Sequence, residues 1–555
     1  MTAQADPLSG MTLELGAYRA AVERRLRAWE ADRFVARLWN KDPTLWRPDP
    51  QAPEIADRLG WLHLPDAAPR QADEWERFAA EIRTEGYRHA VLLGMGGSSL
   101  APEVVGRTCG SAPGFPELVV LDSTHPGAVR AVEERLDLRR TLFVVSSKSG
   151  TTIEPLSLFR YFWERTQRTG RCFAAITDPG TPLEHLAVER GFRRLFRAPA
   201  DVGGRYSALS DFGMVPAALI GVRIQDVIAP ARRMASACAP EAPAVQNPGL
   251  VLGAALGELA LAGRDKLTFL ASAALEAFPD WTEQLIAESS GKDGRGIVPV
   301  AGEPVGSAET YGPDRVFVWL GLDGEPEPSV LGPLAAAGHP VIRIRLRSRE
   351  DLGGEFFRWE FATAAACAVL AVHPFDQPDV QLAKDLARRA MERPDSGGSQ
   401  NDMVPADSEQ QLSAALAEFL AAAGPGRYVA LQAFIAPSGE AGGALGRIRS
   451  ILRDRLRVAT TSGYGPRFLH STGQLHKGGP DTGLFLQFVD EPAHDLPVPE
   501  TGYSFGQLLR AQADGDAGAL RRRGRQLVRI QLGRDAAAGL RRVEEALRRS
   551  APPER

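Results

Sequence analysis

Short apolar runs that stop at a glycine- or hydroxyl-rich turn, each followed by an amphipathic stretch, recur along much of this chain. Runs at 89–93, 117–121, 141–145, 172–176 and 193–196 read as strands, and helices fit between them at 100–107, 126–136, 153–168 and 181–190. Alternation of this kind, with short connections, implies parallel strands in a sheet covered on both faces. A second alternation begins at Lys266–Leu270, passes through strands at 315–320 and 341–346, and ends in a helix at 357–371. A third α/β segment carries strands at 427–434, 483–488 and 527–531. At 555 residues the chain exceeds what one core supports, so several units are expected. The expected class is α/β. A helical N-terminal segment (1–84) leads into a first parallel-sheet domain (85–225), a helical connector (226–264) and a second parallel-sheet domain (265–390). A linker rich in Pro, Ser, Gly, Asp and Gln (391–411) precedes a C-terminal α/β segment (412–555).

Bulk composition excludes several classes. A net charge of −4, with Lys and Arg nearly balancing Asp and Glu, gives no reason to expect nucleic acid or an acidic membrane as partner. The densest basic cluster, Arg521-Arg522-Arg523 with Arg525, reads as a solvated face. Cys109, Cys172, Cys238 and Cys367 are scattered without metal-ligand spacing, which suits a reducing, cytoplasmic compartment. The N-terminus lacks the apolar core of a secretory signal, and no apolar run is long enough to span a bilayer.

Two turns at expected strand ends point to an anion. After Leu142-Phe143-Val144-Val145 come Ser146, Ser147, Lys148, Ser149, Gly150, Thr151 and Thr152, then a helix. Such a turn gathers backbone N–H groups, hydroxyls and a helix's positive end, and phosphate suits it. Ordinary helix capping is the competing explanation, although a cap needs one hydroxyl and this loop carries five. After Val91-Leu92-Leu93 comes Gly94-Met95-Gly96-Gly97-Ser98-Ser99, where glycine lets backbone approach a ligand closely. Ser99 stands where a dinucleotide fingerprint would place its third glycine, so that pattern is incomplete. Ligands of open parallel sheets sit at the carboxyl ends of strands, which makes both turns candidates for one site.

Four further strings carry chemistry-capable residues. In Gly203-Gly204-Arg205-Tyr206-Ser207, glycines before an arginine allow a permanently charged fork to approach a ligand and stabilise an oxyanion. In Gln284–Lys292, Gln284 and Glu288 are four apart on one helical face, and Glu288 sits where the helix runs into a glycine turn, as a general base could. In His373–Lys384, two prolines fix a turn and Gln377 lies seven residues before Lys384. In Tyr464–Gly479, His470 and His476 occupy a polar, glycine-rich stretch and could shuttle protons. No cysteine or carboxylate stands at ligand spacing beside them, so no metal is expected. Each string alone also fits a turn, a capped helix start or a solvated helix end.

Taken in order, these strings resemble the glucose-6-phosphate isomerase family, and more narrowly the isomerase part of bacterial bifunctional transaldolase/phosphoglucose isomerases. The resemblance runs from Gly94 to Lys384. It implies two sugar-isomerase (SIS) domains facing one cleft, glucose 6-phosphate and fructose 6-phosphate as substrates in glycolysis and gluconeogenesis, and no cofactor. It implies Ser98, Ser147, Ser149 and Thr152 on the phosphate, with the Lys148 backbone, Gly97, Thr151 and Gly204 in the same lining. Glu288 would move the proton between C2 and C1, Arg205 would stabilise the enediolate, and Gln284 and Gln377 would position the sugar. Lys384 would assist ring opening together with a histidine. The family places that histidine in a Gly-x-x-Gly-Gln-His context soon after the glutamate and supplies it from a neighbouring subunit, so a homodimer is implied. Here Gly302–Tyr311 has no histidine; His470 is the replacement candidate and His476 the second. Asp379 and Gln381 replace the family's usual glycine and glutamate. A transaldolase barrel would need roughly 250 residues, and no comparable stretch remains once both sheet domains are assigned. Two alternatives stand beside this expectation: additional use of mannose 6-phosphate, and a sugar-phosphate-binding SIS protein without catalysis.

Overall fold

The computed structural model describes residues 10–379 and 402–550. Among the described residues are three five-stranded sheets. A short N-terminal strand, β1 (Met11–Glu14), runs antiparallel along the edge of the second sheet, beside the strand Val341–Leu346. The first sheet holds β2 (His89–Leu93), β3 (Glu117–Leu121), β4 (Thr141–Ser146), β5 (Phe173–Thr177) and β6 (Arg194–Arg197), all parallel, in the order β3-β2-β4-β5-β6. The second adds β7 (Lys266–Ala271), β8 (Val298–Val300), β9 (Arg315–Leu322) and β10 (Val341–Leu346), in the order β1-β10-β9-β7-β8. The third comprises β11 (Val404–Pro405), β12 (Tyr428–Phe434), β13 (Ala459–Tyr464), β14 (Gly483–Asp490) and β15 (Gln526–Gly533), all parallel, in the order β11-β15-β14-β12-β13.

The apolar runs became strands because helices cover both faces of each sheet. Leu142, Phe143, Val144 and Val145 are all fully buried, as a doubly covered strand requires. The buried helix Leu352–Leu370 starts five residues before the expected 357. It packs along Pro248–Leu261 through a glycine groove, where a Cβ at Gly253 would stand 2.6 Å from Ala365 Cβ. Strands β1, β8, β11 and β13 and the break at Arg33, which divides the N-terminal helix into Arg19–Ala31 and Phe34–Trp39, were not expected. Of the expected linker at 391–411, the described part contains β11 and the start of the helix Glu409–Ala421. No helix among the described residues is long and apolar enough to cross a membrane.

The third sheet domain is locked onto the other two by buried charge. Glu303, just beyond β8, pairs with Arg315 at 2.9 Å and accepts from the Thr460 backbone N–H at 2.8 Å and hydroxyl at 2.6 Å. Arg449 donates to the carbonyls of Ala301 and Gly302 at 2.9 and 2.8 Å. Against the first domain, Arg467 pairs with Asp122 at 3.1 Å and with Glu103, and His125 meets Asp490 at 3.1 Å. Replacing Glu303 with Gln leaves the fully buried Arg315 guanidinium without its counter-charge. The expected loss is about 3–5 kcal/mol, read as a lowered chemical-denaturation midpoint; an unchanged midpoint contradicts this assignment.

Candidate active site

The first sheet reverses its strand order at β2, which lies between β3 and β4. The crevice at such a switch point is where ligands of open α/β sheets bind. Both singled-out turns open there, one after β2 and one after β4.

In the turn after β4, Ser147 Oγ lies 3.0 Å from Thr152 Oγ1, and Ser149 Oγ lies 3.0 Å from Thr151 Oγ1. Thr152 is the N-cap of the helix Ile153–Arg165, yet its side chain makes no capping bond. The hydroxyls therefore serve one another at the positive end of a helix rather than tying down its amides, which disfavours the simple capping explanation. Gly150 holds φ +65°, where a side chain would also strike Thr181 and Leu183. The Lys148 ammonium is drawn away to Asp178 and the Ala200 carbonyl, so its side chain is not offered to the loop and the expected role falls to its backbone.

The turn after β2 interlocks with the arginine string. A Cβ on Gly97 would lie 2.0 Å from the Gly204 carbonyl oxygen, so only glycine permits this approach. Ser98, in the same turn, is buried. The contact delivers Arg205 into the interior with 6% of its surface exposed. Its guanidinium lies 2.7 Å from Glu288 Oε1, donates to Gln377 Oε1 at 3.0 Å, and donates to the carbonyls of Pro374 and Asp376 at 2.9 and 3.2 Å. Glu288 sits near the end of the helix Phe278–Ser290, also buried. One turn earlier, Gln284 donates to Glu288 Oε2 at 3.0 Å and to the His470 carbonyl at 2.7 Å. Among the described residues, Arg205 Nε and Gln284 Oε1 are buried without a hydrogen-bond partner.

The two histidines part company. The His470 Nε2 atom lies 2.8 Å from Glu154 Oε1, with the ring still partly accessible. Both contacts of His470 lie within the chain that carries Glu288. His476 is packed against Tyr428, Phe468 and Phe485, and burial pushes its pKa well below the ordinary value. It is a core residue. Lys384 lies outside the described residues.

The sequence missed several residues here. Glu154 is buried in the first turn of its helix, where its Oε1 also accepts from Gln512 at 2.7 Å; Gln512 Oε1 in turn accepts from Thr124 at 2.8 Å. A lone acid within Ile153-Glu154-Pro155-Leu156, on a helix with a wide apolar face, was the available signal. Lys292 is the other. It pairs with Asp376 at 2.8 Å and donates to the His373 carbonyl, bracing the turn that holds Arg205. Burial, and then the neighbouring Arg205 charge, bring its pKa down to about 8.

Residues 72–299 match the family model described as phosphoglucose isomerase. A probable glucose-6-phosphate isomerase of Haloarcula marismortui is 30% identical over 345 residues, covering 54% of this chain and 77% of that protein. The chain belongs to the phosphoglucose isomerase family. The glucose-6-phosphate isomerase of Carboxydothermus hydrogenoformans is 34% identical over 251 residues, a match spanning 42% of this chain and only about half, 53%, of that relative. Among solved structures, a hypothetical protein of Thermus thermophilus aligns with a TM-score of 0.59 and 26% identity, over 69% of this chain and 99% of that one. A glucose-6-phosphate isomerase from Chlamydia trachomatis shares the fold, with a TM-score of 0.51 and 20% identity over 60% of this chain and 75% of that one.

The interlocked turns give a direct test within this family site. Gly97→Ala pushes the Gly204 carbonyl aside and moves Arg205 with it. A displacement of about 1 Å at such a group costs about 100-fold in kcat/KM. Steady-state assay against a matched thermal midpoint measures this, and full activity in the variant contradicts the interlock.

Proposed function

We propose that the protein interconverts glucose 6-phosphate and fructose 6-phosphate through an enediolate. The observation that carries this reading is the buried Glu288 carboxylate 2.7 Å from the Arg205 guanidinium. A proton alpha to a carbonyl is weakly acidic, so its removal needs a base together with fixed positive charge at the oxygen. In the ketose-to-aldose direction, Glu288 takes the proton from C1 while the C2 carbonyl oxygen becomes an enediolate oxygen beside Arg205. The proton returns to C2 while the hydroxyl proton passes from the C1 oxygen to the C2 oxygen, leaving the aldehyde at C1 and a hydroxyl at C2; the reverse direction exchanges the two carbons. Ser98, Ser147, Ser149 and Thr152, with the Lys148 backbone, Gly97, Thr151 and Gly204, would hold the phosphate end. This binding lies remote from the reacting carbons and serves positioning.

Gln284 and Gln377 orient the sugar in this reading. The unpartnered Gln284 Oε1 and Arg205 Nε are groups that a hydroxylated substrate can satisfy. His470, with Glu154 behind it, would carry the proton for ring opening, and Lys384 is the proposed second participant. The assembly expected from the resemblance is a homodimer in the cytoplasm.

The test is a coupled assay from fructose 6-phosphate to glucose 6-phosphate, run with and without a chelator. The wild-type protein turns over in both. Glu288→Gln loses about 10²–10⁴-fold or more of kcat while sugar-phosphate binding by calorimetry persists. Arg205→Lys, which keeps charge but loses the fork, loses about 10²–10³-fold. Turnover by Glu288→Gln at the wild-type rate rules out the base assignment.

A further inference from the structure

We propose that the third sheet domain completes the active site of its own chain, so that one polypeptide is a whole catalytic unit and no residue comes from a second copy. The inference rests on the reading of Glu288 and His470 above, and goes beyond it to say where the second wall of the site originates.

Three sets of contacts carry it. The first is His470 itself, held at both ends by the other two domains. Its ring meets Glu154 at 2.8 Å, and its carbonyl accepts from Gln284 at 2.7 Å. A Cβ on Gly96 would come within 2.8 Å of that carbonyl, so the glycine turn after β2 is shaped to receive it.

The second set concerns Gly302–Tyr311, where the family resemblance led to the expectation of a histidine. This stretch is occupied by docking contacts. Glu303 is engaged by Arg315 and Thr460, the Gly302 carbonyl by Arg449, and the Pro304 carbonyl by Arg453. A segment held in this way by its own chain is not free to reach into another copy.

The third set explains an otherwise isolated departure from the family pattern. Asp379 stands where the resemblance expects glycine, and among the described residues its hydrogen-bond and ion-pair partners come from the third domain. Its backbone N–H donates to Gln474 Oε1 at 2.9 Å, its carboxylate accepts from Gln474 Nε2 at 2.7 Å, and it pairs with Arg523. Gln474 also donates to the Gly291 carbonyl at 3.1 Å, three residues beyond Glu288. Gln474 is thus a positioning residue. It ties the end of the Glu288 helix to the turn whose Gln377 holds Arg205.

A paired-cysteine variant tests the arrangement independently of activity. An ideal Cβ at Gly127 lies 3.7 Å from Ala436 Cβ, across the junction of the first and third domains. That separation falls in the disulfide range of about 3.5–4.5 Å. In Gly127→Cys with Ala436→Cys, oxidation is expected to give a cross-link within one chain, seen on a non-reducing gel as a monomer. A covalent dimer, or no disulfide, overturns the proposal.

Co-expression of differently tagged Glu288→Gln and His470→Ala chains, purified through both tags, supplies the second arm. Each variant is first checked for a wild-type thermal midpoint. The expected activity is no more than that of the separate variants. Recovery to about half of wild type, one intact site per mixed dimer, overturns the proposal. If the two tags never co-purify although the wild type is active, no chain can supply another's histidine, and the proposal is supported. An inactive wild type sinks the isomerase reading and leaves the cysteine result to decide the arrangement.

Discussion

The structure is organised around one contact, the largely buried Arg205 guanidinium against the Glu288 carboxylate. A buried ion pair contributes little net stability, since desolvation offsets attraction. This pair also costs structural freedom. The glycine turn after β2 must lie against Gly204, the turn at 374–377 must aim carbonyls at the guanidinium, and Lys292 must brace that turn. So many constraints on one arginine make sense where a fixed charge has to meet a developing oxyanion without reorganising. The first domain delivers the arginine, the second the carboxylate, and the site exists only where they meet.

The third domain stands in the same relation to that contact. It encloses the carboxylate helix from the other side, with Leu475 packed so closely on Gly291 that any side chain there would collide with it. Its sheet repeats the order found in the second, with a switch at its first long strand and an added edge strand: β11, just before the domain and parallel, where the second sheet takes β1 from the N-terminus, antiparallel. Its interface joins apolar packing, Ala287, Val298 and Val300 with Leu475 and Phe485 and Tyr161 with Phe505, to charged contacts built from Arg449, Arg453 and Arg467 with carboxylates or carbonyls opposite. Such partners demand a particular geometry, which suits a surface that must place a histidine.

What was legible in the sequence follows from how much each feature depends on tertiary context. Strands buried on both faces, such as β4 and β9, announce themselves as continuous apolar runs. By contrast, β13 reads Ala-Thr-Thr-Ser-Gly-Tyr, β8 has three residues with a central proline, and β1 pairs only through a distant strand. None of these carries a local signal. Arg33 turns the N-terminal helix with φ 52° and no glycine or proline to mark the break. At the site, Glu288, Arg205, Gln284 and Gln377 were accessible because they sit in distinctive strings whose order resembles a known family. Glu154, Gln512 and Gln474 are single residues on ordinary helices, and their meaning lies in which distant segment they face. The same limit applied to the two histidines: only packing separates the partly accessible His470 from the core residue His476.

The most direct test of the central contact is a crystal structure of the protein with fructose 6-phosphate bound. The account predicts the phosphate on the Ser147–Thr152 loop, C1 and C2 within hydrogen-bond reach of Glu288, and Arg205 facing the C2 oxygen. A sugar phosphate seated in another cavity, or one whose first two carbons lie away from both side chains, contradicts it.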